Sequence, residues 1–318
     1  MMKFIGKRIA MIIPVAFLVS VFSFALIHFA PGDPALFYIV PGMTEEQEKE
    51  IRASMGLDDS VVVQYGKWII KVAHGDLGYS IHNKRSVSRQ ITEKLPATLL
   101  IMAGSIIFSV IVSVGLGMIA GYKKGTKYDK SIMFLTNIGI SLPEFWFGII
   151  LILIFSLKLK WLPGSGMHTT GVDSIFDVLK HAILPIVTLS IGKIAVYTRY
   201  IRANVIKEMK EDYVMTALAK GTSEEKILMR HVLKNCLLPI ITLVGMNMGS
   251  LVSGSYIIES IFGWPGLGNL GLNAITNRDY PLIMGTVMLA CMVLIVGNLL
   301  ADVCYCFADP RIRMEGKR

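Results

Sequence analysis

Six apolar runs divide this chain, and their lengths constrain its fold more than any motif does. Ile9–Ala30 carries no acidic or basic residue apart from His28, and Ala97–Gly121 carries none. Ser131–Leu157 holds only Glu144, Ile183–Thr198 only Lys193, Asn235–Ile258 no charge and Leu282–Phe307 only Asp302. With a helical rise of about 1.5 Å per residue, roughly 20 such residues cover a hydrocarbon core about 30 Å thick. Ile183–Thr198 is short by that measure, so its helix is expected to begin earlier, near Phe176. The chain has 318 residues, is 53% hydrophobic and only 17% charged, less charged than a soluble domain of its size. It therefore reads as an all-α membrane protein with six transmembrane helices.

The net charge of +9 would suggest nucleic acid in a soluble protein, but its distribution points elsewhere. Six crossings put residues 1–8, 122–130, 199–234 and 308–318 on one side. That side carries 19 Lys and Arg against 8 Asp and Glu. The other side, 31–96, 158–181 and 259–281, carries 12 against 13. The excess of cations faces the cytoplasm in multi-pass proteins, so both termini are expected there. Nucleic acid is not a partner on this reading; membrane lipid is.

Taken in order, residues 1–30 form a retained signal-anchor helix, too long for a secretory core and with no small-residue cleavage site after it. Ala30-Pro-Gly-Asp-Pro34 stops it. An external region, 31–96, follows. In it, Thr44 and Gln47 make a capping box for a short charged helix that Gly56 ends. Val61–Ala73 is amphipathic, with Tyr65, Trp68, Ile69 and Val72 at helical spacing and Lys67 and Lys71 off that stripe. It suits the membrane surface, and it equally suits packing on the outer ends of the helices. Leu95-Pro96 stands at the entry to the second long helix. A five-helix core, 97–307, and a cytoplasmic tail, 308–318, complete the chain. Pro143 is expected to kink the third helix within Ser141-Leu-Pro-Glu-Phe-Trp146, where Glu144 should face protein or water rather than lipid. Ser141, Pro143, Glu144 and, on the fifth helix, Asn247 are the candidate lining of a translocation path. Gly245-x-x-x-Gly249 and Ser250-x-x-x-Gly254 permit close helix approach. Glu259–Pro281, rich in Gly and Pro, reads as a re-entrant or surface loop.

Catalytic constellations are missing from the sequence. No Gly-x-x-x-x-Gly-Lys-Ser/Thr occurs, so there is no phosphate-cradling loop of that kind. Neither His-Glu-x-x-His nor Gly-x-Ser-x-Gly is present. Met167-His168 has no partners at metal-ligand spacing, and the cysteines Cys236, Cys291, Cys304 and Cys306 read as packing residues. No catalytic residue, metal or cofactor is therefore expected, and the chain is not expected to be an enzyme.

One polar interval, Asp212–Pro239, separates the fourth and fifth apolar runs. Val205–Lys220 reads as one helix closed by Gly221 at its C′ position. Thr222-Ser-Glu-Glu225 reads as a capping box opening a second, with Ile227, Leu228, Val232 and Leu233 on one face and Lys226, Arg230 and Lys234 on another. Such a helix can lie on lipid or dock in a groove of a cytosolic partner.

Met215-Thr-Ala-Leu-Ala-Lys-Gly221 followed by Leu238-Pro239 resembles the cytoplasmic EAA loop of ABC importer permeases. Pro31-Gly-Asp-Pro34, Tyr79-Ser80, Leu95-Pro-Ala-Thr98, Ser141-Leu-Pro143, Trp161-Leu-Pro163, Asp212-Tyr213, Phe262-Gly-Trp-Pro-Gly-Leu-Gly268, Arg278-Asp-Tyr-Pro281 and Asp309-Pro-Arg-Ile-Arg313 extend the likeness over the whole chain. They resemble the B-type permease of the dipeptide/oligopeptide/nickel group. Met215 and Thr216 depart from the generic loop, standing where it has Glu and Ala. The resemblance implies the type I importer permease fold and an importer driven by ATP hydrolysed in other subunits. The partners it implies are a second related permease, two cytosolic ATP-binding subunits and an extracytoplasmic substrate-binding protein. It places ATPase coupling in the loop containing Ala217, Gly221, Thr222, Ser223, Glu224 and Glu225, with the docked helix at about Thr222–Lys234. The cargo it implies is peptide, with nickel or a metal chelate as the second possibility. An ion-coupled secondary transporter is the competing reading, although Glu144, Lys193 and Asp302 are few and scattered for such a mechanism.

Overall fold

A computed structural model describes residues 2–29, 43–54, 56–247, 251 and 255–308. The expectations for Pro31–Pro34, Gly249, Ser250, Gly254 and the tail beyond Ala308 lie outside those residues. Thirteen α-helical elements can be followed among the described residues: α1 Met2–His28, α2 Glu45–Ser54, α3 Val61–Ala73, α4 Val87–Tyr122, α5 Lys127–Ser141, α6 Glu144–Leu151, α7 Ile175–Glu208, α8 Asp212–Ala219, α9 Glu224–Ile227, α10 Leu233–Met246, α11 Tyr256–Ile261, α12 Leu267–Thr276 and α13 Tyr280–Ala308. Wider π-helical turns extend α6 through Ile152–Lys158 and join α9 to α10 through Leu228–Val232. Four of these helices are long and apolar enough to cross a membrane: α4, α7, the continuous Glu224–Gly245 and α13. The bent pair α5–α6 makes a fifth when taken as one span, and α1 contains a shorter apolar stretch, Ile13–Ala25.

Several local expectations hold. Thr44 N donates to Gln47 Oε1 at 3.0 Å and Gln47 N to Thr44 Oγ1 at 3.3 Å, the two halves of a capping box. Gly56 follows with φ +70°, a conformation that suits glycine. α7 starts at Ile175, next to the expected Phe176. Other expectations need correction. Pro96 lies inside α4 rather than at its entry. The carbonyl it leaves unpaired belongs to Thr92, which is exposed where water can reach it. Glu259–Pro281 is mostly helical, forming α11 and α12 around the Gly-Trp-Pro-Gly turn.

α4 and α7 pack along their length, and the small residues of α4 explain how. A Cβ on Gly104 would stand 2.6 Å from Ile186, on Gly117 2.6 Å from Ile201 and on Gly121 2.6 Å from Val205. Ser190 Oγ donates to the Ser105 carbonyl at 3.1 Å between them. These pairs advance in the same direction on both helices, so α4 and α7 run parallel. The chain between them returns along α7 as α5–α6. Asp129 meets Arg202, Gly139 faces Ala195, Glu144 approaches Gly192 and Gly148 approaches Thr188. That return spans about 21 Å of α7 at 1.5 Å per residue. It is broken at Leu142-Pro143 by a bend of 104°, far more than the kink that Pro143 alone was expected to make. Leu142 and Pro143 are both extended there, with ψ 127° and 126°.

Buried polar groups pin the two ends of the bundle. At the turn after α4, Arg202 Nε and a terminal nitrogen hold Asp129 at 2.6 and 2.8 Å, and Gly125 N donates to the same carboxylate at 2.8 Å. At the opposite end Glu259 is fully buried. Its carboxyl accepts from Thr98 Oγ1 and from Asn269 N, both at 2.9 Å. The same Thr98 oxygen accepts from Leu267 N at 2.7 Å, and Trp264 Nε1 donates to the Ala97 carbonyl at 2.8 Å. Burial pushes the Glu259 carboxyl up from the usual carboxylate range, and its hydrogen bonds oppose that shift. Asp279, also buried, accepts from Ser80 Oγ and from Ile81 N, tying the segment before α4 to the start of α13.

The Glu259 cage leaves no room for a side chain on its wall. A Cβ on Gly268 would stand 2.7 Å from Tyr256 N and 2.9 Å from Glu259 Oε2, whereas one on Gly271, a turn later, meets nothing within 4 Å. Gly268→Ala is therefore expected to destabilise by about 1–3 kcal/mol. Gly271→Ala should be neutral or stabilise by up to about 1 kcal/mol through helix propensity. Thermal unfolding of the purified protein compares the two, and equal melting temperatures would contradict the packing described.

Candidate functional site

The polar interval folds into two short helical pieces seated on α7. Its apolar residues decide the seat: Val214, Ile227 and Val232 are completely buried against Ile201, Val205 and Met118. Leu228 and Leu233 pack on the same cluster, as the amphipathic pattern implied. Val205–Lys220 is not one helix, however. α7 ends at Glu208 and α8 restarts at Asp212 after an extended Glu211 with ψ 149°. That break lets Val214 join the buried cluster that contains Val205, whereas a straight helix would carry it about 13 Å further along its axis. Polar contacts close the fold: Glu208 Oε2 accepts from Tyr213 OH at 2.8 Å and from Asn235 Nδ2 at 2.7 Å. Burial, and after it the Glu208 hydrogen bond, pushes the Tyr213 phenol above its ordinary range, so it remains a donor at neutral pH.

Gly221 ends α8 as the sequence predicts. Gly221 N donates to the Leu218 carbonyl at 2.9 Å and Thr222 N to the Ala217 carbonyl at 3.1 Å. With φ +77° at Gly221, this is the paired-bond C-terminal motif that favours glycine. The expected capping box at Thr222 does not form. Ser223 is the N-cap, one residue later, and its side chain makes no capping bond. The residue three positions after it is then Lys226, which cannot reciprocate. Glu224 turns instead to Tyr122 at the end of α4, whose OH donates to Glu224 Oε2 at 2.5 Å. The helix beginning at Glu224 runs on into α10, so Thr222–Lys234 is the start of a long helix rather than a separate one.

The outer side of this seat gathers the predicted coupling residues. Gly221, Ser223, Glu224 and Glu225 are exposed, while Ala217 and Thr222 are half-buried. Lys226, Arg230 and Lys234 are exposed beside them. The sequence reading overlooked Met215, Leu218 and Met229, which also face outward, with Met215 and Met229 more than half exposed. Only folding reveals them, because apolar residues in a helix read as core until the neighbouring Val214 and Ile227 have taken the buried positions.

The candidate path residues fall at two levels of α7. Ser141, Pro143 and Glu144 stand together, exposed, at the break between α5 and α6. Ser141 Oγ donates to the Asn137 carbonyl at 2.9 Å, and a Cβ on Gly192 of α7 would be 3.5 Å from Glu144 Oε1. Asn247 is about 8 Å further along α7 by helical rise, its Nδ2 donating to Tyr197 OH at 3.2 Å and to the Leu243 carbonyl at 2.7 Å. Lys193 points its ammonium to the Leu189 carbonyl at 2.7 Å.

Comparison with known proteins covers the chain from end to end. Residues 113–314 match the family described as binding-protein-dependent transport system inner membrane component, and residues 1–102 match the N-terminal membrane component of such systems. The oligopeptide transport system permease protein AppB of Bacillus subtilis is 39% identical over 314 residues, 98% of this chain and 99% of its own. A putative peptide permease of Brucella suis is 37% identical over 99% of this chain and all of its own. The glutathione transport system permease protein GsiC of Escherichia coli is 36% identical over 99% of this chain and all of its own. Among solved structures, a chain of the MetNI methionine ABC transporter in inward-facing conformations superposes with a TM-score of 0.54 at 16% identity, covering 69% of this chain and 96% of that one. That likeness identifies the fold as the type I ABC importer permease fold. The parallel α4–α7 pair, the seated polar turn and these matches lead to one conclusion: the chain belongs to the family of binding-protein-dependent transport system inner membrane components.

Proposed function

We propose that this chain is the B-type permease subunit of an ATP-driven importer of di- and oligopeptides, crossing the bacterial inner membrane six times with both termini in the cytoplasm. The crossings are α1, α4, the broken α5–α6 pair, α7, the α9–α10 helix and α13. Parallel packing of α4 on α7 supports counting α5–α6 as one crossing, since the chain must return once between two parallel helices. The charge distribution supports the orientation.

The observation that carries the energy source is the turn 212–232. Its inner face is core and its outer face presents Met215, Leu218 and Met229 among Glu225, Lys226 and Arg230. An apolar patch with a mixed-charge rim is the composition of a protein docking surface. The partner is a cytosolic ATP-binding subunit, one of two, the other seated on a second related permease. An extracytoplasmic binding protein delivers cargo to the opposite end, where the Glu259 cage holds α11 and α12. Glu144 and Asn247, both beside α7, line the route. ATP-driven closure of the two ATPases would move α7 through its seat and expose the route alternately to the two sides. The peptide assignment draws on the relatives named for oligopeptide and for glutathione, itself a tripeptide.

Proteoliposomes holding both permeases and the ATPases test this reading directly. Labelled peptide uptake should require ATP and the binding protein and should persist with a protonophore present. Uptake that needs the proton gradient instead, or transport of nickel without peptide, would overturn it. Met215→Glu combined with Met229→Glu should release the ATPases in a pull-down and cut uptake about tenfold or more, the scale of losing about 1.4 kcal/mol of docking energy. Gly221→Val should also lower uptake, because its left-handed backbone costs a β-branched residue about 1–2 kcal/mol. Gly221→Asn, which tolerates that conformation, should stay close to the parent.

A further inference from the structure

The helix that starts at Glu224 has a loose beginning and one firm tie. Gly221 precedes it with φ +77° and open space around its Cβ position. Ser223 occupies the N-cap without a capping bond. Among the described residues, 221–232 make a single side-chain hydrogen bond, in which Tyr122 OH donates to Glu224 Oε2 at 2.5 Å. With a carboxylate as acceptor, such a bond is roughly twice as strong as a neutral one. An acidic side chain also suits the first turn of a helix, where the backbone N–H groups point outward.

The other end of that tie stands on a rigid mount. Tyr122 is the last residue of α4. Gly121 before it is wedged against α7, its Cβ position 2.6 Å from Val205 and 3.1 Å from the Arg202 carbonyl. The turn after it is held by Asp129, which accepts from Gly125 N and from Arg202. One turn back from Tyr122, Met118 belongs to the same buried cluster as Ile227, which lies about one turn on from Glu224. α4 therefore meets the start of this helix at two levels, apolar inside and hydrogen-bonded at the edge. A helix held at one level can pivot about it, and a second level fixes its rotation.

Rotation matters because the outward residues lie away from both ties. At about 100° per residue, Ile227 is about 60° round the helix from Glu224, whereas Glu225 and Lys226 each lie about 100–160° from both. Glu225 and Lys226 are exposed, and Met229 is 58% exposed beyond them.

We propose that Tyr122 is a positioning residue of the ATPase seat: its hydroxyl holds Glu224 and so sets the rotation at which Glu225, Lys226 and Met229 face the ATP-binding subunit. α4 then moves with the seat alongside α7. Glu224, although it belongs to the predicted coupling loop, acts toward α4 within the chain and not toward the ATPase. This rests on the reading of 212–232 as the ATPase seat.

Tyr122→Phe removes only the hydroxyl, and proteoliposomes of the complete transporter test its effect. Peptide-stimulated ATP hydrolysis and peptide uptake should fall about threefold or more, while a pull-down still retains the ATPases. Glu224→Ala should match Tyr122→Phe, and Glu224→Gln, which keeps an accepting oxygen, should lose less. The double variant Tyr122→Phe with Glu224→Ala should be no worse than either single one, since both remove the same bond. Tyr128→Phe is the control: Tyr128 is 61% exposed in the same turn, under Lys123 at 4.4 Å, and its hydroxyl has no hydrogen-bond partner among the described residues. It should match the parent. Parent-like uptake by Tyr122→Phe would overturn the inference. So would losses that multiply in the double variant, the result expected if Glu224 touches the ATPase. Release of the ATPases by Tyr122→Phe would make the bond a support of the whole seat and would also overturn the positioning role. In each of these cases the parent still takes up peptide on ATP; a parent that does not removes the seat and this inference together.

Discussion

The close approach of α4 and α7 is the contact on which the rest of the bundle depends. In a bilayer no hydrophobic drive brings helices together, because lipid tails are as apolar as leucine, so association rests on packing and on hydrogen bonds between small side chains. Gly104, Gly117 and Gly121 admit Ile186, Ile201 and Val205, and Ser190 reaches the Ser105 carbonyl. Several other elements take their position from α7. α5–α6 returns along it, α10 meets it through Asn247, and Phe262 after α11 approaches it beside Gly148 and Thr188. α8 and α9 rest on its last turns.

That arrangement gives α7 the physical character of a lever. It runs unbroken for 34 residues, about 50 Å by helical rise. Its far end carries the seat of the polar turn, and its middle carries the neighbours of Glu144 and Asn247. The ends of the bundle are stiffened by carboxylates that are buried only because their hydrogen bonds are satisfied: Asp129 at one end, Glu259 and Asp279 at the other. A buried charge with partners missing would cost several kcal/mol, so these joints hold one geometry. The break at Leu142-Pro143 is the exception, an interruption of regular helix between α5 and α6 where backbone groups are freed beside polar side chains. Such interruptions are tolerated at membrane depth where protein or a water-filled cavity receives those groups.

Local signals proved legible where a single turn of backbone decides the outcome. Thr44 and Gln47 cap α2 reciprocally, Gly56 and Gly221 take left-handed conformations, and α7 begins within a residue of Phe176, because each depends on a few adjacent side chains. Expectations failed where distant residues competed for the same group. The Thr222 capping box gave way to an N-cap at Ser223, and Glu224 bonds to Tyr122, 102 positions away in sequence. Val205–Lys220 broke at Glu208 because burying Val214 required a turn. Pro96 stayed within α4 because Thr92 could be left to solvent, and the Gly- and Pro-rich stretch after Glu259 became helical around a carboxyl reached from Thr98.

From the sequence alone came the number and length of the apolar runs, the side of the membrane that their flanking charges favour, the polar interval Asp212–Pro239 between them, and the lack of a Gly-x-x-x-x-Gly-Lys-Ser/Thr motif. Composition and short-range periodicity suffice for these, because a bilayer forces long uncharged segments into helices. Tertiary structure alone decided that α4 and α7 lie parallel, that the third run breaks by 104°, and that Met215 and Met229 face outward while Val214 and Ile227 do not. It also decided that Val62 and Ile70 of α3 stay exposed. Each of these depends on which residue reaches a given space first, and that contest is settled between segments far apart in the chain.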